Sequence, residues 1–119
     1  MKIISFAWTT AALLAGRKTC TRRAWSEDYA KRFKQGDLVA AYDRNPRFGG
    51  KQVATIRLTR DPYLENTADM PLGDYVHEGL NYMEEQGLKI QGQHPYDFFS
   101  AWKAMAELVW VVRFEVVKE

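Results

Sequence analysis

The chain has one cysteine, two histidines and four prolines in 119 residues. A lone Cys20 cannot close an internal disulfide, which fits a reducing compartment. With only His77 and His94 beside it, a metal centre would have to recruit carboxylates, so neither a metal nor a cofactor is expected. No apolar run approaches the ~20 residues of a membrane span. The apolar stretch 3–15 imitates a secretory signal, and Leu13-Leu14-Ala15-Gly16 imitates a lipoprotein cleavage site. In such a site the cysteine follows directly, whereas Arg17, Lys18 and Thr19 intervene here. These absences predict a cytoplasmic protein with no membrane partner.

What remains is rich enough to fold. Hydrophobic residues make up 46% and aromatics 13%, enough for a packed core. The length suits one domain over residues 1–119, because two halves would each bury too little surface. The net charge of +2 hides an asymmetry. Residues 1–60 hold 13 of the 17 Lys and Arg but 4 of the 15 Asp and Glu. The second half is correspondingly acidic. A basic surface including Arg17, Arg22, Arg23, Arg44 and Arg47 would favour a polyanion or a nucleotide, unless it is simply a solvated face.

Patterning gives the elements. Lys2 to Phe6 reads as a strand, and Thr9 or Thr10 caps a short helix that ends at Gly16. Thr19 to Arg23 is strand-like, with Thr19, Thr21 and Arg23 on one face and Cys20 and Arg22 on the other. Ser26 caps a second helix, with acidic residues first, Lys31, Arg32 and Lys34 last, and Gly36 closing it. Asp37 to Tyr42 and the alternating Gln52 to Thr59 are strands, separated by a Pro- and Gly-containing loop at 44–50. A short helix runs from Pro71 to about Glu78, capped by Gly79. Gly87 to Pro95 is a loop, and Pro95 opens a helix carrying Phe98, Phe99, Trp102 and Met105 at helical spacing. Leu108 to Val117 is a β-branched core strand. The order predicts an α+β fold with a mixed, largely antiparallel sheet curled into a small barrel.

Gly16 to Arg23 reads Gly-x-Lys-Thr-x-Thr-x-Arg and follows an apolar helix ending Leu-Leu-Ala. This segment resembles the signature of the ASCH domain, a member of the PUA-like superfamily of RNA-associated barrels. Lys34-Gln35-Gly36-Asp37 and His77-Glu78-Gly79-Leu80 are similar to later family segments. So is the helix from Phe98 with the strand Trp110 to Val116. The likeness spans most of the chain and implies a PUA-like (ASCH) β-barrel with short flanking helices. Some small bacterial members are amidohydrolases that deacetylate N(4)-acetylcytidine, and their functional lysine, threonine and glutamate match Lys18, Thr21 and Glu78. Segments 25–33, 44–50 and 61–70 are additions relative to those enzymes.

The implied roles make chemical sense. A threonine hydroxyl needs a neighbouring base to become a nucleophile. Lys18 can serve if burial or cations such as Arg17, Arg22 and Arg23 depress its pKa. Glu78, at the negative end of a short helix, would act as acid or as stabiliser of the intermediate. Arg23 would hold a carbonyl oxygen, a phosphate or Glu78 itself. Arg17, Arg22, Arg44 and Arg47 complete the expected substrate-binding set. Cys20 is expected to be buried and inert, and His77 and His94 to be no ligands. The competing reading is a non-catalytic RNA- or nucleotide-binding module, with Trp8, Trp25, Tyr42 and Phe48 as stacking candidates. Ribonuclease chemistry ranks lower, because no paired histidines are in view. The expected partner is RNA or a modified nucleoside.

Overall fold

In the computed structural model, which describes residues 1–118, the strands are β1 (Lys2–Ser5), β2 (Cys20–Arg23), β3 (Leu38–Tyr42), β4 (Gln52–Leu58), β5 (Tyr63–Asn66) and β6 (Leu108–Val116). The helices are α1 (Thr10–Leu14), α2 (Glu27–Ala30), α3 (Asp74–His77), α4 (Leu80–Glu85) and α5 (Pro95–Met105). The sheet runs β1-β3-β4-β6-β2, with β5 also on β6. Among the described residues only β1 and β3 pair in parallel; the other ladders are antiparallel.

β6 organises this half-barrel. Its nine residues are the longest strand, and its β-branched run suits a surface covered by neighbours. Its first part lies between β5 and β2, with Val111 facing both Tyr63 and Arg22 in register. Its last part pairs β4 at Ile56, Arg57 and Leu58. The curl brings β2 back towards β1, where Arg23 Nη2 donates to the Ser5 carbonyl at 2.6 Å.

Two apolar clusters fill the molecule. Inside the half-barrel pack Ile4, Phe6, Leu13, Phe33, Val39 and Ile56, together with Val112 and Phe114. Under the helices pack Met70, Leu80, Met83, Ile90 and Phe99. The periodicity of α5 therefore splits. Phe99 is buried and Phe98 and Trp102 are half-buried, but Met105 is exposed.

Local signals explain most of the elements. Ser26 Oγ accepts from the Tyr29 amide, and His94 Nδ1 accepts from the Tyr96 amide with Pro95 in the first turn. Both are helix-start devices. α2 stops at Ala30 rather than continuing towards Lys34. The Arg32 and Phe33 amides bond three residues back, to Tyr29 and Ala30. That tighter turn carries Phe33 into the core, where it stacks on Trp25 at 4.5 Å. β5 and α4 were not anticipated. β5 is a four-residue Tyr-Leu-Glu-Asn segment of poor strand propensity, made a strand by pairing with β6. Among the described residues no helix is long and apolar enough to cross a membrane.

Candidate active site

The octapeptide enters β2 with Lys18 in the loop just before it. Gly16 takes φ +72 at the end of α1, and the Arg17 amide bonds back to Ala12. Lys18 is thereby turned inward and is only 1% exposed. Its Nζ donates to the Glu78 carbonyl at 2.8 Å and to Glu78 Oε1 at 2.9 Å. Sixty residues of chain close on this contact because Gly79 ends α3 with φ +89. A β-carbon there would lie 2.7 Å from the Ala12 β-carbon and 3.2 Å from that of Lys18. Only glycine lets the end of α3 settle onto the octapeptide.

Glu78 begins a buried ladder of alternating charge. Its second oxygen accepts from Arg22 Nη1 at 2.8 Å. Arg22 Nη2 bonds Asp74, and Arg22 Nε donates to Glu65 Oε1 at 2.9 Å. Asp74 also receives Arg113 Nη2 at 2.7 Å and lies 3.0 Å from His77 Nδ1. Arg113 Nε in turn donates to the Tyr63 hydroxyl at 3.0 Å. Charged groups from β2, β5, α3, its C-terminal cap and β6 thus neutralise one another, as buried charges require. Among the described residues no buried side-chain nitrogen or oxygen lacks a partner.

The environment shifts the ionisable groups in distinct ways. Burial pushes the Lys18 ammonium below its usual range, against the opposing pull of Glu78. Arg23 adds a further, lesser push in the same direction as burial. Burial also lowers Arg23, again opposed by Glu78. For Asp74, burial acts upward, but hydrogen bonds from Arg113, Arg22 and His77 outweigh it and hold the carboxyl well below the usual range. Arg22 is raised: desolvation is overcome first by Glu78.

Thr21 is 4% exposed, and its hydroxyl accepts from Arg23 Nε at 3.2 Å. Lys18, Thr21 and Glu78 line one cleft of about 200 Å³, with Arg22 and Arg23 beside them. Leu80, Ile90, Phe98 and Trp102 form its apolar wall and Thr9 its lip. The volume lies below the ~300–1,000 Å³ of drug-sized pockets. A larger concavity of about 620 Å³, lined by Val53, Thr55 and Val116 among others, has no ionisable side chain in its wall. Of the two, only the smaller cleft has ionisable side chains in its wall.

The remaining nominated residues are placed as follows. Arg22 serves three carboxylates and acts first as scaffold. Arg17 lies outside the cleft lining, pairs with Glu85 and sits over the Tyr82 ring at 5.5 Å. Arg44 and Arg47 are exposed on the 44–50 loop and do not line the cleft. Cys20 is buried, yet its neighbours are charges rather than core: Arg22 Nη1 at 3.5 Å and Glu78 Oε2 at 3.8 Å. Burial, then Glu78, pushes its thiol up to about 12. Trp25 stacks one face on Phe33, with Tyr29 packed against it at 77°. Among the described residues no group of three or more His, Cys, Asp or Glu is arranged to hold a metal ion.

Asp74, Glu65 and Arg113 had not been singled out from the sequence. Asp74 and Glu78 stand four apart, which puts them on one face of a helical turn. Arg113 is an arginine inside a core strand, itself a sign of a buried partner.

No family model and no curated protein matches the chain. Among solved structures it is similar to protein EF3133 from Enterococcus faecalis V583, described by the family-model DUF984. The superposition covers 98% of this chain and 76% of that one, at 18% identity and a TM-score of 0.56. At that identity the likeness concerns the fold. The chain has a mixed α+β fold like that of this DUF984 structure, with a curled, half-barrel sheet and short helices around it.

Proposed function

We propose that the protein is a small amidohydrolase that removes the acyl group from an acylated nucleoside, N(4)-acetylcytidine or a close relative. The observation that carries this reading is the convergence of Lys18, Thr21 and Glu78 on one small cleft with an apolar, partly aromatic wall. A flat base fits such a wall, and the resemblance of the octapeptide supports the same assignment.

The chemistry follows from the side chains. Thr21 Oγ attacks the acyl carbon while its proton passes to Lys18 Nζ, whose desolvation favours the neutral, proton-accepting form. Arg23 already donates to the threonine oxygen and stands beside the developing oxyanion. The C–N bond then breaks, and the exocyclic amine leaves with the proton held by Lys18. Water, activated by the same lysine, hydrolyses the threonine ester and releases the acid. Glu78 orients Lys18 and balances its charge when it is protonated.

The test is acetate release from N(4)-acetylcytidine by the purified protein. Thr21→Ala and Lys18→Ala are each expected to lower kcat by roughly 10²–10⁴, the usual range for losing a proton-transfer partner. Unchanged turnover in both variants would overturn the residue roles. No turnover of any acylated nucleoside would overturn the activity.

A second reading, RNA binding, is favoured by one feature. Phe48 is 75% exposed beside Arg44 and Arg47, on a turn pinned by Asn45 Oδ1, which accepts from the Arg47 amide at 2.8 Å. The carbonyl of nearby Asp43 accepts from the Ala7 amide, one residue from the exposed Trp8. Arginine beside aromatic is the chemistry that holds single strands.

A further inference from the structure

A hollow of about 370 Å³ adjoins the cleft and shares Phe98 and Trp102 with it as walls. Its remaining rim carries Gln91, Gln93, Met105 and Glu107. A two-residue turn contributes to both linings. The amides of Ile90 and Gln93 each bond the other's carbonyl at 2.9 Å, with Gln91 at φ +50 and Gly92 at φ +77 between them. Positive φ at both central positions is the tight hairpin geometry, unusual for a glutamine. It leaves Ile90 buried against the cleft while Gln91 and Gln93 edge the hollow.

The chemistry of the rim is specific. Two side-chain amides offer both donors and acceptors. Trp102 Nε1 donates to Glu107 Oε1 at 3.2 Å and orients that carboxylate. A carboxylate is the group that dinucleotide-binding folds use to hold ribose hydroxyls. Among the described residues no lysine or arginine lines the hollow, and a phosphate would meet the Glu107 charge uncompensated.

We infer that this hollow is the sugar subsite: it takes the hydroxyl-bearing half of a free nucleoside whose base occupies the cleft, and it rejects a 5′-phosphate. The inference rests on the amidohydrolase reading for the position of the base, and it deepens that reading by choosing a free nucleoside over a nucleotide or a strand.

The experiment compares kcat/KM of the full chain for N(4)-acetylcytosine, N(4)-acetylcytidine and N(4)-acetylcytidine 5′-monophosphate. Calorimetric titration with cytosine and cytidine runs beside it. The nucleoside is expected to exceed both the bare base and the monophosphate by at least about tenfold, a difference of ~1.4 kcal/mol. Gln93→Ala and Glu107→Gln should erode the preference over the bare base. Gln93→Lys should narrow or reverse the discrimination against the phosphate. Equal turnover of base and nucleoside would overturn the subsite and leave the activity standing. Absent turnover with cytidine still binding more tightly than cytosine, and with Gln93→Ala removing the difference, would overturn the activity and leave the subsite. No difference between cytosine and cytidine in either measurement overturns the subsite.

Discussion

Both the cleft and the 44–50 loop present arginines, and the two regions hold them in opposite ways. The Arg22 side chain is fully buried and bonded to Glu65, Asp74 and Glu78. Arg44 and Arg47 are exposed, and among the described residues neither pairs with a carboxylate. A buried cation must be neutralised by partners at fixed geometry, so the cleft acquires a rigid and electrically balanced floor. An exposed cation keeps its water and its long-range field, and it contributes attraction without precise geometry. The first arrangement suits positioning a reacting amide, and the second suits collecting a polyanion.

The sharpest way to break the contrast is to remove one buried charge. Arg22→Met takes one partner from each of three carboxylates and leaves Glu65 without its ion pair. It is expected to destabilise the fold by about 3–5 kcal/mol, as when one partner of a buried ion pair is removed. Urea unfolding followed by far-UV dichroism measures it. A destabilisation below about 1 kcal/mol would show that water replaces the guanidinium and that the floor is not rigid.

Gly79→Ala tests how the ladder is assembled. The new methyl group would crowd Ala12 and Lys18 at positive φ, and left-handed backbone alone costs a non-glycine residue about 1–2 kcal/mol. Thermal unfolding should register at least that amount. Turnover should fall as well, because the Glu78 carbonyl is pushed away from Lys18. Wild-type stability with wild-type turnover would mean that α3 can slide without disturbing the site.

How much of this was legible in sequence follows the range of each interaction. Lys18 and Thr21 stand out through the likeness of the octapeptide to a family signature, which sets its own register over eight residues. Glu78 stands out through the likeness of its Glu-Gly pair to a family segment, and the fold brings it to 2.9 Å from Lys18 Nζ. Glu65 and Arg113 do not stand out. Their meeting with Arg22 and Asp74 depends on β5 and β2 flanking the same stretch of β6, a pairing that no local pattern encodes. The stretch 61–70 looked like an addition, yet it supplies a carboxylate that holds Arg22. The sugar hollow was hidden for a similar reason. Phe98 and Trp102 have helical spacing suited to a core, yet in the fold both line two cavities.

Asp74→Asn gives a smaller effect with a characteristic pH signature. The Asp74 carboxyl is held below its unfolded value of about 3.9. Its contribution is therefore fully present above that pH and fades as pH falls towards the folded-state value. Wild type should exceed Asp74→Asn in stability at neutral pH, and the gap should shrink steadily below about pH 4. Denaturant midpoints at several pH values test this. A gap independent of pH would assign Asp74 a packing role rather than a charge role.

The smallest effect on the fold is expected at the loop. Arg44→Ala and Arg47→Ala should change stability by less than about 0.5 kcal/mol, because both side chains are exposed. Their effect belongs to binding. If the loop tracks a single strand, the affinity of a short RNA should fall steeply with salt, and each phosphate left without its arginine should reduce the logarithmic slope by about 0.7. Fluorescence anisotropy at two or more salt concentrations separates this from a general reduction of charge, provided that Lys31→Ala on the exposed turn after α2 is measured in parallel. A slope that changes equally in all three variants would mean that the protein attracts RNA through its net field alone. A slope that changes only at Arg44 and Arg47 would make the loop a defined strand contact, in contrast to the cleft, whose Arg22 is already committed to the fold.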